Sequence, residues 1–349
     1  MLCTVFAKEP RARRSETTKV PANHASLQRA DLIVIGGGPA GAAAALRMRQ
    51  LSPKSRVVIL DKAPFPRDKI CGDGLGPHAI SELSMLGAHE VLSGHEPITR
   101  IELRGPHGAR FDGVIPRPGY VIRRFELDAN LIKVAIRHGV EVVVERVDTL
   151  EVSSSQVVVN GSWQAPFVVA ADGANSRCRR QLGLAGATGT NLAFAARGYM
   201  KTDQEAIVIA WEPNYGPGYS WIFPLGDGTA NVGFGGIKDR MPSGGTKALW
   251  GVTSELTGID PADPSLHAHH LPLSSARLQR STGRVLFVGD AAGLINPLSD
   301  EGIFYALASG RIAAHALLTA DPPKHTKRSW PMSSTATSAT PLSWPPSVA

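Results

Sequence analysis

A glycine-rich turn, Gly36–Gly41, is the feature that most restricts what this chain can fold into. It reads Gly-Gly-Gly-Pro-Ala-Gly and contains the spacing G-x-G-x-x-G. It follows the apolar run Leu32–Ile35, typical of a buried parallel strand, and opens an alanine-rich stretch, Pro39–Gln50, that predicts a helix. A second buried strand is predicted over Arg56–Leu60. This order of strand, turn, helix and strand predicts a Rossmann-type β-α-β unit.

The glycines of this turn have distinct roles in dinucleotide binding. Gly36 permits the tight turn, Gly38 lets the backbone approach a pyrophosphate, and Gly41 lets the helix pack closely on the strand. The helix N-terminus offers free N–H groups and a positive dipole end to the phosphates. Asp61 ends the second predicted strand, where a carboxylate accepts hydrogen bonds from ribose hydroxyls. The unit by itself does not distinguish FAD from NAD.

Two later motifs indicate which dinucleotide binds. The first motif, Val168–Arg177, begins as a predicted strand and continues with Asp172 and a glycine. The second, Val285–Ala292, begins as a predicted strand that is followed by Gly289 and Asp290. With the first turn, this chain resembles the flavoprotein hydroxylase superfamily, which carries the three motifs in this order. The resemblance implies FAD as the cofactor. It also implies that Asp290 binds the ribityl hydroxyls and that Asp172 supports the site without doing chemistry.

Three further segments narrow the resemblance to one family. Pro64–Leu75 reads PFPRDKICGDGL, Gly218–Pro224 reads GYSWIFP, and Asn296–Ile303 reads NPLSDEGI. They resemble the geranylgeranyl reductase family, and the first two are most similar to the forms in actinobacterial menaquinone reductases. The resemblance extends over residues 30–318. It implies that reduced FAD reduces a C=C bond of an isoprenoid chain, geranylgeranyl or the menaquinone side chain, with NAD(P)H or another reductant as electron donor.

The motifs and the resemblance together predict a set of FAD-binding residues. Arg67 and Lys69 are expected to hold flavin phosphate or to position their loop, with solvation at the surface as the alternative. Arg123 matches the family's arginine before the middle helix, and its alternative role is to begin that helix. The predicted FAD-binding residues are Gly36, Gly38, Ala40, Gly41, Asp61, Lys62, Arg67, Cys71, Arg123, Asp172, Gly289, Asp290, Gly302 and Ile303.

Three alternating aromatic residues are the predicted substrate-binding residues. Tyr219, Trp221 and Phe223 lie in a predicted strand, so their side chains share one face. An isoprenoid alkene offers few hydrogen bonds, and a tunnel for it needs aromatic and apolar walls. The alternative for this face is an ordinary sheet core.

Cys71 is the predicted catalytic residue. Reduction of an alkene needs a hydride at one carbon, which reduced flavin supplies, and a proton at the other, which a nearby acid supplies. Cys71 lies in a glycine-rich loop expected to reach the flavin, and a thiol is a weak acid. A buried structural cysteine is the alternative.

The remaining elements predict an α/β fold, a Rossmann-type FAD-binding domain with an inserted antiparallel β-sheet substrate domain. Segment 98–123 alternates apolar and polar positions between glycine and proline residues, as short strands do. Segment 192–236 is expected to be rich in strands, with Gly-Pro-Gly and Gly-Asp-Gly turns. Helices are predicted over Phe125–His138, 245–257 and Gly302–Leu318, and one strand over Trp163–Ala170. The predicted parts are a disordered leader, 1–30, the FAD-binding domain, 31–95, 125–185 and 280–320, the substrate domain, 96–124 and 186–279, and a disordered tail, 321–349.

Composition excludes several classes of protein. The formal net charge is +7, but much of it lies in the leader and tail, and the body has no basic stripe with interleaved aromatics, which argues against nucleic acid. Three cysteines without regular spacing argue against a disulfide framework and fit a reducing compartment. The leader lacks an apolar core, so it is not a secretory signal; an organellar transit peptide is the alternative to disorder. A cytoplasmic protein without a transmembrane helix is expected, with peripheral membrane contact through its lipid-like substrate.

His267, His269 and His270 cluster without cysteine or carboxylate spacing, so no metal site is predicted. The chain departs from the family at Asp300, where the family usually has glycine or another small residue. That carboxylate is expected either to oppose an anionic reduced flavin or to cap the following helix. The Ser/Thr/Pro-rich tail is a second departure, since family members continue with helices that help close the substrate tunnel.

Two alternatives to a prenyl-chain reductase remain at this point. One is a flavin-dependent monooxygenase or halogenase of the same superfamily, although a halogenase is expected to carry a W-x-W-x-I-P motif and this chain has Y-S-W-I-F-P. The other is a truncated, non-catalytic remnant that binds flavin or nothing.

Overall fold

The glycine-rich turn lies at the carboxyl end of an inner strand of a mainly parallel sheet. The computed structural model describes residues 27–211, 218–240, 250–251, 253–255 and 267–319. In these residues the strands are β1 Gln28–Arg29, β2 Leu32–Ile35, β3 Val57–Asp61, β4 Gly74–Leu75, β5 Ile98–Arg104, β6 Arg110–Val121, β7 Glu141–Val144, β8 Leu150–Val152, β9 Val157–Val159, β10 Trp163–Ala165, β11 Val168–Ala170, β12 Leu192–Lys201, β13 Ile207–Trp211, β14 Gly218–Pro224, β15 Thr229–Ile237, β16 His267–Pro272, β17 Ser281–Thr282 and β18 Val285–Phe287. The α-helices are α1 Pro39–Leu51, α2 Pro77–Met85, α3 Arg124–Arg137, α4 Arg177–Gln181 and α5 Ile303–Thr319.

The parallel sheet has the strand order β17-β18-β11-β2-β3-β7, and only β17 runs antiparallel to its neighbour. Its central strand β2 is completely buried, as expected for an apolar strand covered on both faces. The carboxyl ends of β2, β3, β11 and β18 point to the same edge, because these strands are parallel. The three motifs that follow β2, β11 and β18 in sequence therefore meet at that edge.

Helix α1 packs against the sheet and against α5, and small residues allow this close approach. Ala42 to Ala45 of α1 are fully buried. A Cβ on Gly310 of α5 would lie 2.1 Å from the carbonyl oxygen of Ala40, so only glycine fits where the two helices cross. The N-terminal end of α1 is thus held tightly below the edge where the motifs meet.

A larger sheet faces that edge, with the order β16-β12-β15-β14-β13-β5-β6-β4. Its neighbouring strands are antiparallel except β13 and β5, which are parallel. A small third sheet, β1-β10-β9-β8, packs on the face of the parallel sheet opposite α1. The predicted combination of a Rossmann-type unit with a β-sheet region is confirmed. The predicted domain boundaries remain a prediction.

The structure corrects two details of the predicted elements. The single strand predicted over Trp163–Ala170 is two strands in different sheets, because Pro166 between them has no N–H to donate to a ladder. Order also begins before the predicted end of the leader, since Gln28–Arg29 pairs with β10. The rest of the leader, the predicted tail from residue 321 and most of the predicted helix 245–257 lie outside the described residues.

Within the described ranges, none of the helices combines the length and the apolar character needed to cross a membrane.

Candidate active site

A cavity of about 850 Å³ lies between the parallel sheet and the large sheet, and we call it the central cavity. One side is formed at the carboxyl ends of β2, β3, β11 and β18, and the other by β12, β13, β14 and β16. The segment of residues 64–76, which ends in the short strand β4 and is here called the cysteine loop, lines part of it. The volume is at the upper end of the range for ligand cavities, and the position beyond parallel strand ends is usual for dinucleotides.

The glycine-rich turn presents its backbone to the central cavity. Gly36 has φ +99°, and a Cβ there would lie 2.4 Å from the carbonyl oxygen of Ala171, so the turn requires glycine. Gly38 is the N-cap of α1 and no side chain caps the helix. The first N–H groups of α1 are therefore available to an anion, which fits a pyrophosphate. A Cβ on Gly41 would lie 1.9 Å from the Gly36 carbonyl oxygen, which shows the predicted close packing.

Asp61 is held in a fixed orientation at the end of β3. Its carboxylate accepts hydrogen bonds from the backbone N–H groups of Gly37, at 2.7 Å, and Ala63, at 3.1 Å. The guanidinium of Arg67 donates to the same carboxylate at 2.9 Å. The position is the one predicted for a ribose-binding carboxylate.

Asp290 follows β18 and lies on the same cavity. Lys69 from the cysteine loop donates to its carboxylate at 2.9 Å. Burial disfavours the charged carboxylate, but the positive charges of Lys69 and Arg124 outweigh it and hold the pKa of Asp290 below its usual range. Asp290 is thus an ionised acceptor beside the cavity.

Two side chains that line the cavity each have a buried polar atom without a hydrogen-bond partner among the described residues. One carboxylate oxygen of Asp172 accepts from the backbone N–H of Cys178 at 3.0 Å, while its Oδ1 is buried without a hydrogen bond. The Nε of Arg67 is buried in the same way. Since buried polar groups are rarely left unpaired, these atoms fit a ligand with its own donors and acceptors, as FAD has. The residues present therefore fit the cofactor that the motifs imply.

Most predicted site residues line the central cavity, and three do not. Gly41 and Gly289 pack between elements instead, where a Cβ on Gly289 would lie 3.0 Å from the Cβ of Ala40. Arg123 is directed away, with its guanidinium bound to Asp227 and Thr229. The cavity-lining members are Gly36, Gly38, Ala40, Asp61, Lys62, Arg67, Cys71, Asp172, Tyr219, Trp221, Phe223, Asp290, Gly302 and Ile303.

Of the two adjacent arginines at the start of α3, it is Arg124 that lines the cavity. It is buried at the start of α3 and binds Asp128 through both carboxylate oxygens, at 2.6 and 2.8 Å. Its backbone N–H donates to Asp73 at 3.2 Å. Arg124 was not among the residues predicted from the sequence, although its position four residues before an aspartate in a helix was a signal for an ion pair.

Tyr219, Trp221 and Phe223 form one wall of the cavity, here the aromatic wall. Their ring centroids are 5.9 and 6.0 Å apart along β14. Phe223 and Trp221 contact the cysteine loop, since a Cβ on Gly72 would lie 3.4 Å from the Phe223 ring and 3.6 Å from that of Trp221. The predicted shared face is therefore turned toward the cavity.

Cys71 lines the same cavity as the aromatic wall and Arg124, and it directly precedes Gly72, which packs against Trp221 and Phe223. Burial is the main cause that raises the pKa of its thiol, so it carries its proton at neutral pH. Asn231 on β15 donates one hydrogen bond to the Cys71 carbonyl at 2.8 Å and another to Asp73 at 2.8 Å. Asn231 also accepts from the indole N–H of Trp221 at 2.8 Å. One buried amide thus joins the cysteine loop to the aromatic wall.

Asp73 is, with Asn231, the other residue that makes several hydrogen bonds in this network. It is fully buried with φ +63°, and the hydroxyl of Tyr199 donates to it at 2.7 Å. Burial raises its pKa to about 6 against the effect of these hydrogen bonds. Asp73, Tyr199 and Asn231 were not predicted from the sequence. A polar Asn231 inside a buried strand was the available signal, because buried amides are usually hydrogen-bonded.

Asp300 does not cap α5. The neighbouring Glu301 takes that role, and its side chain accepts from the backbone N–H of Phe304 at 2.8 Å. The expectation that Asp300 is an N-cap is therefore wrong, because its side chain faces the cavity. In the described part of the chain, no three His, Cys, Asp or Glu side chains come together as metal ligands would.

Known proteins share both the sequence and the fold. Residues 29–309 match the family model of the FAD binding domain. The menaquinone reductase of Mycobacterium tuberculosis is 33% identical over 86% of this chain and 79% of its own length. Digeranylgeranylglycerophospholipid reductase 1 of Methanopyrus kandleri is 30% identical over 83% of this chain and 80% of its own.

A geranylgeranyl bacteriochlorophyll reductase-like protein from Thermoplasma acidophilum has the same fold, with a TM-score of 0.72 and 23% identity over 83% of this chain and 78% of that one. Flavin-dependent halogenases are structural neighbours with lower TM-scores. The match to the family model and the identity to the reductases agree with the geometry of the site. The chain therefore belongs to the FAD-binding-domain family and, within it, to the FAD-dependent prenyl-chain reductases that include menaquinone and geranylgeranyl reductases.

Proposed function

We propose that this chain uses reduced FAD to reduce a C=C bond in the isoprenoid side chain of a quinone of the menaquinone class. The observation that carries the proposal is the central cavity, where the residues suited to FAD and the aromatic wall face the same space. The identity to menaquinone reductases supports the quinone as substrate. A nicotinamide nucleotide or another reductant supplies the electrons.

The chain's own residues bind and orient the cofactor in this proposal. The α1 N-terminus at Gly38 holds the pyrophosphate, Asp61 accepts from the adenosine ribose, and Asp290 accepts from the ribityl hydroxyls. Asp172 and Arg67 supply the remaining polar contacts through their unpaired atoms. Bound and reduced, FAD supplies the hydride for the alkene.

The aromatic wall suits an isoprenoid chain for two reasons. Tyr219, Trp221 and Phe223 give a continuous apolar surface, and the hydroxyl of Tyr219 is already bound to the carbonyl of Ser299 at 2.6 Å. The indole N–H of Trp221 donates to Asn231, so the polar groups of both side chains already have hydrogen-bond partners and do not need water from the cavity. Such a wall leaves an alkene in apolar contact and keeps water away from the reacting atoms.

The protonated thiol of Cys71 lies beside this wall and is the acid predicted from sequence. Cys71→Ser tests this role: a turnover loss of about 100-fold or more, with FAD affinity within a few-fold of wild type, would assign the proton to the thiol. Turnover and FAD titration measured on the same protein separate the two effects. An unchanged turnover number would remove Cys71 from the chemistry.

The substrate lies in the membrane, so we propose that the chain meets it at the membrane surface. Leu298, next to the cavity-lining Ser299, is 78% exposed and is available for contact with lipid. Co-sedimentation with liposomes, compared with a Leu298→Ser variant, tests this contact. Equal recovery of both proteins in the liposome fraction would contradict it.

The central test is anaerobic turnover of menaquinone by the FAD-loaded full chain under a chemical reductant. Mass spectrometry is expected to show a gain of two hydrogens in the side chain. Geranylgeranyl diphosphate serves as the comparison substrate. Oxygen consumption coupled to a hydroxylated or halogenated product, with no reduced chain, would instead support the monooxygenase or halogenase alternative.

A further inference from the structure

Asp300 has a backbone conformation that few residues adopt. Its φ is +52°, in the left-handed region that favours glycine and, less strongly, aspartate and asparagine. The residue lies in the loop that precedes α5, directly before the capping Glu301. This conformation turns the Asp300 side chain to the central cavity instead of along the helix.

The carboxyl group of Asp300 lies against the aromatic wall. Its Oδ2 is 2.9 Å from the position that a Cβ would take on Gly235 of β15, and the ring of Trp221 is 3.6 Å from the same position. Since Gly235 has no side chain, the carboxyl fits between β15 and the cavity. Ser299, the preceding residue, accepts the hydrogen bond from Tyr219.

Among the described residues, the Asp300 carboxyl has no hydrogen-bond or ion-pair partner, unlike the other acids of this site. Asp290 is paired with Lys69, and Glu301 caps α5. The titratable groups around it are Glu301 on the same loop and Tyr219 on β14, which is itself near Cys71 of the cysteine loop. Burial without a cation raises the pKa of Asp300 to about 7, so the group exchanges a proton near neutral pH.

We propose that the carboxylic acid of Asp300 is a catalytic residue that supplies the proton added to the alkene. The proposal rests on the proposed function. In the balanced step the π bond breaks, one carbon receives the hydride from reduced flavin, and the other forms a C–H bond with the Asp300 proton. The flavin is oxidised, Asp300 is left as the carboxylate, and it regains a proton from solvent.

Asp300 is better matched to this task than Cys71. A general acid is most effective when its pKa lies near the working pH. Burial raises the pKa of the Cys71 thiol above its ordinary value, so the thiol holds its proton too firmly. Asp300 and Cys71 both line the cavity with the aromatic wall, so the variants Asp300→Asn and Cys71→Ser together show which of the two supplies the proton.

The test uses the FAD-loaded full chain with menaquinone under single-turnover conditions after reduction. Asp300→Asn keeps the shape and removes the acid, and it is expected to lose product formation about 100-fold or more. The wild-type rate is expected to fall above about pH 7, and the residual rate of Asp300→Asn to lose this pH dependence.

Three further measurements make the result decisive. FAD affinity and the flavin reduction potential are expected to stay near wild type in Asp300→Asn, and infrared difference spectra are expected to show a protonated carboxyl in the wild type at pH 6 that the variant lacks. Asp112→Asn, the same change at an exposed carboxylate of β6, is the control and should match wild type.

An Asp300→Asn rate within a few-fold of wild type would overturn the proposal, and so would loss of turnover in Cys71→Ser alone. A rate loss explained by a shifted flavin potential would also overturn it. A wild-type enzyme that reduces no prenyl chain would overturn the proposed function and this proposal together, whereas an active wild type with an active Asp300→Asn overturns only this one.

Discussion

Asn231→Ala is expected to destabilise the protein substantially, because Asn231 makes three buried hydrogen bonds. Its side chain binds the Cys71 carbonyl, Asp73 and the indole of Trp221, each at 2.8 Å. Each bond contributes about 1 kcal/mol net, so the free energy of unfolding should fall by about 3 kcal/mol. Part of this loss is the cost of leaving the Trp221 N–H and the Asp73 carboxyl buried with fewer partners.

The neighbouring strand offers a matched control in Ser220. Its hydroxyl is buried without a hydrogen-bond partner among the described residues. Ser220→Ala therefore removes a polar atom that gains nothing from burial, and it should leave the free energy of unfolding within about 0.5 kcal/mol or raise it.

Equilibrium urea unfolding of the FAD-loaded protein, followed by circular dichroism, measures both variants under the same conditions. A loss below about 1 kcal/mol for Asn231→Ala, or an equal loss for Ser220→Ala, would refute the claim that this amide network holds the cysteine loop.

Two further predictions concern the glycine-rich turn and pH. Gly41→Ala places a Cβ 1.9 Å from the Gly36 carbonyl oxygen, so FAD affinity should fall at least 10-fold (about 1.4 kcal/mol or more) by calorimetric titration, whereas Gly186→Ala, with open space around it, should bind FAD normally. The folded-state pKa of Asp300 is raised to about 7, so its protonated form is favoured by folding, and stability should fall as pH rises from about 4 to 7. The free energy of unfolding should fall by at most about 4 kcal/mol over this range, and by less where water in the cavity screens the charge. Urea unfolding at pH 5 and pH 8 should show that Asp300→Asn lacks this contribution to the pH dependence. An equal pH dependence in the wild type and the variant would contradict the prediction.

The parallel sheet was predictable because its signals are local. Leu32–Ile35 is apolar throughout, ends in glycines and is followed by an alanine-rich helix, and each feature depends only on neighbouring residues. The edge where the motifs meet follows from parallel pairing alone. The predicted strand Trp163–Ala170 was wrong because the apolar pattern hid the break at Pro166.

Arg123 and Arg124 show how a difference of one position in the start of a helix changes which side chain lines the cavity. Helix α3 begins at Arg124, and a shift of one position turns a helical side chain by about 100°, so Arg124 is buried at the cavity while Arg123 binds Asp227. Element boundaries are the least certain part of a sequence-based prediction, and here the boundary separates a cavity residue from an exterior one.

The Asn231 network was not predictable for a different reason. Cys71 and Asn231 are separated by 160 positions, and Asp73 meets Tyr199 across 126. No local pattern relates such residues, since their meeting depends on how the large sheet packs on the cysteine loop. The sequence identified the loop and the strand but not the amide that joins them.

The cysteine loop carries both cations that bind the predicted cofactor carboxylates. Arg67 binds Asp61 at the end of β3, and Lys69 binds Asp290 after β18, so a single segment ties the two ends of the groove together. Displacing this segment breaks both ion pairs in one movement. In the proposed FAD site, binding of the adenine half, binding of the flavin half and the position of the Cys71 thiol are therefore expected to be thermodynamically linked, and a substitution of Arg67 or Lys69 is expected to weaken all three.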